Sequence, residues 1–177
     1  MIDLTKRINA DLATYKDDPK VSLKHIKTIK KDGYNDYLLT MNMHTGTHID
    51  GINHMKDFAL ISDIPLNNFK GVGRIVDDKF IYNNETVLIF QSLSYLTEKL
   101  IDTLAIYSIK FIVTEENSVD EAPYPLHHKL FENNIMIVEN ACNLAQLDAN
   151  KTYMIYAMPL KIDSDSSPVR LFAEEIK

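Results

Sequence analysis

The chain has 177 residues, a formal net charge of −6 and ordinary apolar content, enough for a single domain with its own core and too few apolar residues in any one run to span a bilayer. No dense Lys/Arg cluster is present, which argues against a nucleic-acid partner. The only cysteine is Cys142, so no intrachain disulfide can form; the first residues, Met1-Ile2-Asp3-Leu4-Thr5-Lys6-Arg7, lack an apolar signal region, and a cytoplasmic setting without membrane attachment is expected.

No repeat, low-complexity stretch or Pro/Gly/Ser-rich linker divides the chain, so residues 1–177 are expected to form one domain. Ser22–Thr28 and Tyr37–Met43 flank Asp32-Gly33, a common turn pair, and predict a hairpin. Val72–Val76, Val87–Phe90, Ile109–Val113, Ile135–Val138, Tyr153–Tyr156 and Val169–Phe172 are β-branched or apolar and predict strands. A continuous run such as Ile135-Met136-Ile137-Val138 suits a strand covered on both faces. Ser94–Ile106 places Leu96, Leu100, Ile101, Leu104 and Ala105 at helical spacing, with Ser94 or Thr97 as cap. Leu126–Phe131 predicts a shorter helix that starts after Pro125. Strands outnumber helices and mix hairpins with crossovers, which gives an α/β class with a mixed sheet.

The chemistry-bearing residues fall in two segments. Met43-His44-Thr45-Gly46-Thr47-His48-Ile49-Asp50-Gly51-Ile52-Asn53-His54 holds three of the six histidines. His44, Gly46, His48 and Asp50 share one parity, so an extended chain would line them along one face. A helix would also bring His44 and His48 together, but Thr-Gly-Thr is poor helix filling. Neutral imidazole and carboxylate are ligands for Zn2+ or Mn2+. No glutamate lies between His44 and His48, so this is not the helical zinc-protease motif. The plain alternative is a polar strand with solvated or core-satisfied histidines.

In the second segment Glu139 ends the apolar run Ile135–Val138, where a carboxylate must be solvated, paired or bound to a metal. An ordinary strand-end glutamate is the bland reading of that residue alone. His127 and His128 are adjacent; on a helix they point about 100° apart, so only one can face a site. Cys142 reads as small core packing, with no motif to support a nucleophile.

His44-x-Gly46-Thr47-His48-x-Asp50-x-x-x-His54 resembles the signature of the putative cyclase family, which includes bacterial kynurenine formamidases and isatin hydrolases. Ile64-Pro65-Leu66, Gly71, Asp77, Ser118-Val119-Asp120, the twelve-residue step from His127 to Glu139, Pro159-Leu160-Lys161 and Ser167-Pro168-Val169-Arg170 are similar to the family in the same order. The resemblance implies a swivelling-type β/β/α single domain, usually a homodimer. It implies that His44, His48 and Asp50 bind one metal, that Asp50 and Glu139 bridge to a second held by His127, and that His54 is the acid/base. One or two Zn2+ ions are expected, with Mn2+ as the other candidate. Two departures stand out: Ile52 replaces a proline, and Tyr15-Lys16-Asp17-Asp18-Pro19 stands where the family has an aromatic followed by Pro-Gly-Asp in the substrate pocket. Tyr15 is either a substrate-stacking residue or a surface tyrosine.

The expected activity is metal-dependent hydrolysis of a small-molecule amide, cyclic amide or ester, with activated water attacking a carbonyl and His54 moving the proton. The alternative from another class is a non-catalytic metal- and small-molecule-binding relative, which the altered Tyr15–Pro19 segment keeps open.

Overall fold

Three parallel strands form the centre of the computed structural model, which describes residues 1–176. They are β6 (Val87–Phe90), β7 (Phe111–Thr114) and β8 (Met136–Glu139). All twelve of their residues are buried, as expected for β-branched and aromatic runs covered on both faces. Each large apolar side chain so buried contributes about 1.5–3 kcal/mol relative to exposure. The crossovers carry α2 (Glu98–Leu104), between β6 and β7, and α3 (Pro125–Glu132), between β7 and β8. Ile101 and Leu104 of α2 and Leu130 and Phe131 of α3 are buried. Thr97 caps α2 by accepting the Leu100 N–H, and the predicted Ser94–Ile106 helix is shortened because Leu93–Tyr95 forms a separate 3-10 turn.

The sheet extends on both sides and closes. On one side β4 (His48–Asp50) pairs antiparallel with β8, and β10 (Ser166–Glu175) pairs antiparallel with β4. On the other side β5 (Lys70–Ile75) runs parallel to β6 and antiparallel to β9 (Tyr153–Pro159). The long β10 also pairs with β9, which joins the two edges into a closed ring of seven strands. The short β1 (Ile2–Asp3) lies against the far end of β10. The mixed α/β class is as expected. The closure is not written in any strand; it follows from β10 being long enough to pair with β4 at its start and β9 beyond.

The predicted hairpin is present as β2 (Ser22–Lys27) and β3 (Asp36–Thr40), joined through the one-turn helix α1 (Ile29–Asp32). It forms a separate two-stranded sheet, and both strands are exposed along almost their whole length. Among the described residues no helix is long and apolar enough to cross a membrane. Cys142 is half-buried rather than packed in the core, because it follows the end of β8 at the rim of the sheet.

Candidate metal centre

Register brings the two segments together. In the β4–β8 pair His48 stands opposite Glu139, and in the β10–β4 pair Ser166 stands opposite Asp50. Residues directly opposed in antiparallel strands share a face, so His48, Asp50 and Glu139 converge. His44 arrives differently from the extended arrangement expected. It sits in a turn before β4, and Gly46 takes a left-handed φ of +72°, a conformation glycine adopts without a Cβ penalty. That turn folds His44 back so that its Nδ1 lies 2.8 Å from Asp50 Oδ1. Past Asp50 the chain makes a 3-10 turn, Ile52–His54, with Ile52 buried in the position the family gives to proline. The turn carries the His54 ring to 4.5 Å from that of His44.

His127 is buried on the inner face of α3, while His128 is the exposed neighbour. Pro125 begins the helix, and Asp120 accepts the Leu126 N–H while its other oxygen meets His127 Nδ1. The opposite ring nitrogen, Nε2, lies 3.4 Å from Glu139 Oε1, which also accepts the Val119 N–H at 2.9 Å. His48 Nε2 lies 3.3 Å from Asp50 Oδ1 and 3.7 Å from Glu139 Oε2.

The tautomers follow from what each ring touches. The Gly46 carbonyl and the Asp120 carboxylate only accept, so the neutral His48 and His127 rings carry their hydrogen on Nδ1. Both then turn an Nε2 lone pair towards the carboxylates. His48 Nε2 and Asp50 Oδ1 are buried and have no aligned hydrogen-bond partner among the described residues. Two buried, unsatisfied groups facing each other cost stability unless something bridges them. Ligand atoms of His44, His48 and Asp50 lie within 4.8 Å of one another, and so do those of Asp50, His127 and Glu139. The donor set of imidazole nitrogen and carboxylate oxygen suits a divalent cation.

The electrostatics agree. Burial by itself would depress the His44 imidazole, but the hydrogen bond and charge of Asp50, with the charge of Asp165, push it up to about 9. Burial is likewise overcome at His48 by Asp50 and at His127 by Glu139 and Asp120, so both rings are raised. Asp50 shows the counterpart: burial would raise it, yet the His48 and His44 rings hold it far below the usual carboxylate range. Positive charge is favoured at this cluster.

A cavity of about 350 Å3 opens over the cluster, and Tyr15, Asp18, Asn42 and Tyr124 help to line it. Tyr15 is half-buried there, with its hydroxyl buried and unpartnered among the described residues. Sequence reasoning missed Asp165, whose Oδ2 lies 2.7 Å from His54 Nδ1 and 3.2 Å from His44 Nε2. Burial would raise this carboxyl, but the His54 hydrogen bond and the charges of both rings keep it below its ordinary value. Asp165 lies among Asp163, Ser164 and Ser166 with nothing to distinguish it; the one available signal was its place three residues before Pro168-Val169-Arg170. Asp120, although part of the family-like Ser118-Val119-Asp120, was given no role.

Residues 2–85 match the family described as Putative cyclase. The chain is 29% identical over 201 aligned positions to a kynurenine formamidase of Bacillus anthracis, covering 96% of this chain and 94% of that protein. Its fold is similar to isatin hydrolase A from Labrenzia aggregata, with a TM-score of 0.84 at 21% identity over 97% of this chain and 92% of the other. A predicted metal-dependent hydrolase from Bacillus stearothermophilus is similar with a TM-score of 0.76 at 22% identity, over 96% and 95% of the two chains. With the family match, relatives aligned along nearly the whole chain and a shared fold, the resemblance to the putative cyclase family is borne out.

Proposed function

We propose that this protein is a metal-dependent hydrolase that opens a C–N amide bond of a small molecule, in the manner of an arylformamidase. The observation that carries the reading is the pair of His/carboxylate triplets that share Asp50 beneath an open cavity. The kynurenine formamidase and isatin hydrolase relatives support the same reaction class. His44, His48 and Asp50 would hold one Zn2+ or Mn2+, and Asp50, His127 and Glu139 a second. When bound, such a cation polarises a carbonyl oxygen and lowers the pKa of water, to about 7 in the best zinc cases.

The chain's own residues supply the rest. His54 lines the cavity with Nδ1 engaged by Asp165, so Nε2 is the nitrogen left to take a proton from attacking water and return it to the leaving nitrogen. Tyr15 and Tyr124 contribute aromatic side chains to the lining, and a cavity of this size suits a small aromatic amide. Turnover of an aryl formamide by the metal-loaded protein tests the reading. Tight binding of the amide with no turnover would instead favour a binding protein that keeps the cluster and has lost the reaction.

The reading extends to a cytoplasmic homodimer, consistent with a lone unpaired cysteine. Leu23, Ile26, Ile29, Tyr37, Leu38 and Leu39 are all exposed on the β2–β3 hairpin. A two-stranded hairpin is marginal by itself in water and needs something to cover it. Residues 20–40 carry five lysines against two aspartates in a chain of net charge −6, so the acidic body of a second copy is the complementary partner.

A further inference from the structure

We propose that Asp165 is the positioning residue that aims His54 at the substrate and ties it to the His44 ring. The proposal rests on the hydrolase reading above and adds a residue to it. A carboxylate can only accept hydrogen bonds. Asp165 Oδ2 therefore fixes the hydrogen of the His54 ring on Nδ1, at 2.7 Å, and faces the Nε2–H of His44 at 3.2 Å. The neutral His54 ring is left with its lone pair on Nε2, and the His44 ring, once its added proton is given up, with its lone pair on Nδ1, the nitrogen beside Asp50. The same oxygen thus sets the tautomer of the His54 ring and, together with the Ser166 hydroxyl 3.0 Å from His44 Nε2, that of the His44 ring. A partner of this kind on the far nitrogen of a ligand histidine orients the ring and raises its basicity.

The carboxylate is itself held. Its Oδ1 accepts from the hydroxyls of Ser164, at 3.1 Å, and Ser166, at 3.3 Å, which restrains its rotation. Its backbone carbonyl accepts the Gly51 N–H at 2.8 Å. A Cβ at position 51 would stand 2.8 Å from that same carbonyl oxygen, closer than real Cβ atoms approach. The glycine that follows Asp50 is therefore the residue that lets the bend carrying Asp165 approach the signature segment. The Ile61 N–H to Ser164 carbonyl and Ser62 N–H to Ile162 carbonyl bonds hold the rest of the approach.

The test compares Asp165→Ala, Asp165→Asn, His54→Ala and the double variant His54→Ala/Asp165→Ala, with kcat expressed per bound metal ion. Asp165→Ala should lower kcat by roughly 10- to 100-fold with KM little changed, and Asp165→Asn should fall between it and the unaltered protein. With kcat expressed per bound ion, so that metal lost through the His44 contact is divided out, the double variant should be no slower than His54→Ala, because the remaining effect of Asp165 runs through the His54 ring. A second readout needs no turnover. In metal-free protein the 15N shifts of the neutral His54 ring should report the Nδ1–H form, and Asp165→Ala should move them towards the Nε2–H form. An unchanged tautomer, or losses that multiply in the double variant, would overturn the proposal. If His54→Ala keeps full kcat the acid/base reading fails, and the tautomer shift still decides whether Asp165 orients the ring.

Discussion

Asp50 is where two of the candidate metal-binding triplets meet, and its substitution should be the most damaging of the set. Asp50→Ala should bring bound metal close to zero, whereas His127→Ala should remove only the ion it shares with Glu139. Equal loss in both variants, measured by elemental analysis, would count against a shared carboxylate. His54 should behave oppositely: His54→Ala should keep its metal and lose about two to four orders of magnitude in turnover, the usual contribution of a positioned acid/base. His44 gives a pH dependence. Its imidazole is raised to about 9 in the folded protein from 6.5, so the folded state binds that proton more tightly than the unfolded chain. The stability it contributes is fully present below about pH 6.5 and is lost as pH rises through about 9. Thermal melts of metal-free protein should therefore fall across that window, while metal-loaded protein, with a cation in place of the proton, should not follow the same curve.

At the level of elements, the β4–β8 and β4–β10 registers position the site more than any single contact does. A one-residue slip of β4 would turn His48 and Asp50 away from Glu139 and bring Ile49 into their place. The helix α3 makes the corresponding choice between His127 and His128, so His128→Ala should leave both metal content and turnover unchanged. Among the described residues the hairpin forms a two-stranded sheet of its own, joined to no strand of the closed ring. Leu23 and Leu39 are opposed across it, and both are exposed. If the proposed dimer forms through this hairpin, the double change Leu23→Asp/Leu39→Asp should yield a monomer in sedimentation experiments while leaving the secondary structure of the body intact. A unchanged dimer would show that the hairpin is not its interface.

For the whole molecule, the cluster joins the β4–β8 pair, the turn before β4 and helix α3, so filling it should stabilise the entire fold. A metal at a hundredfold excess over its Kd adds about 2.7 kcal/mol. For a chain of this size that should raise Tm by roughly 5–10 °C, an effect that differential scanning calorimetry with and without chelator would read. The sequence by itself determined the apolar strands Val87–Phe90 and Ile135–Val138, the α3 start at Pro125 and the density of ligand-type side chains around His44–His54. These are set by local composition, periodicity and caps, which act within a few residues. What only the tertiary structure decided was long-range. The turn at Gly46 that folds His44 back, the closure of the sheet through β10 and the arrival of Asp165 beside His54, 111 residues away along the chain, depend on strand register and close backbone approach. Neither leaves a mark on its own stretch of sequence, because a lone aspartate among serines looks the same whether it meets water or a histidine ring.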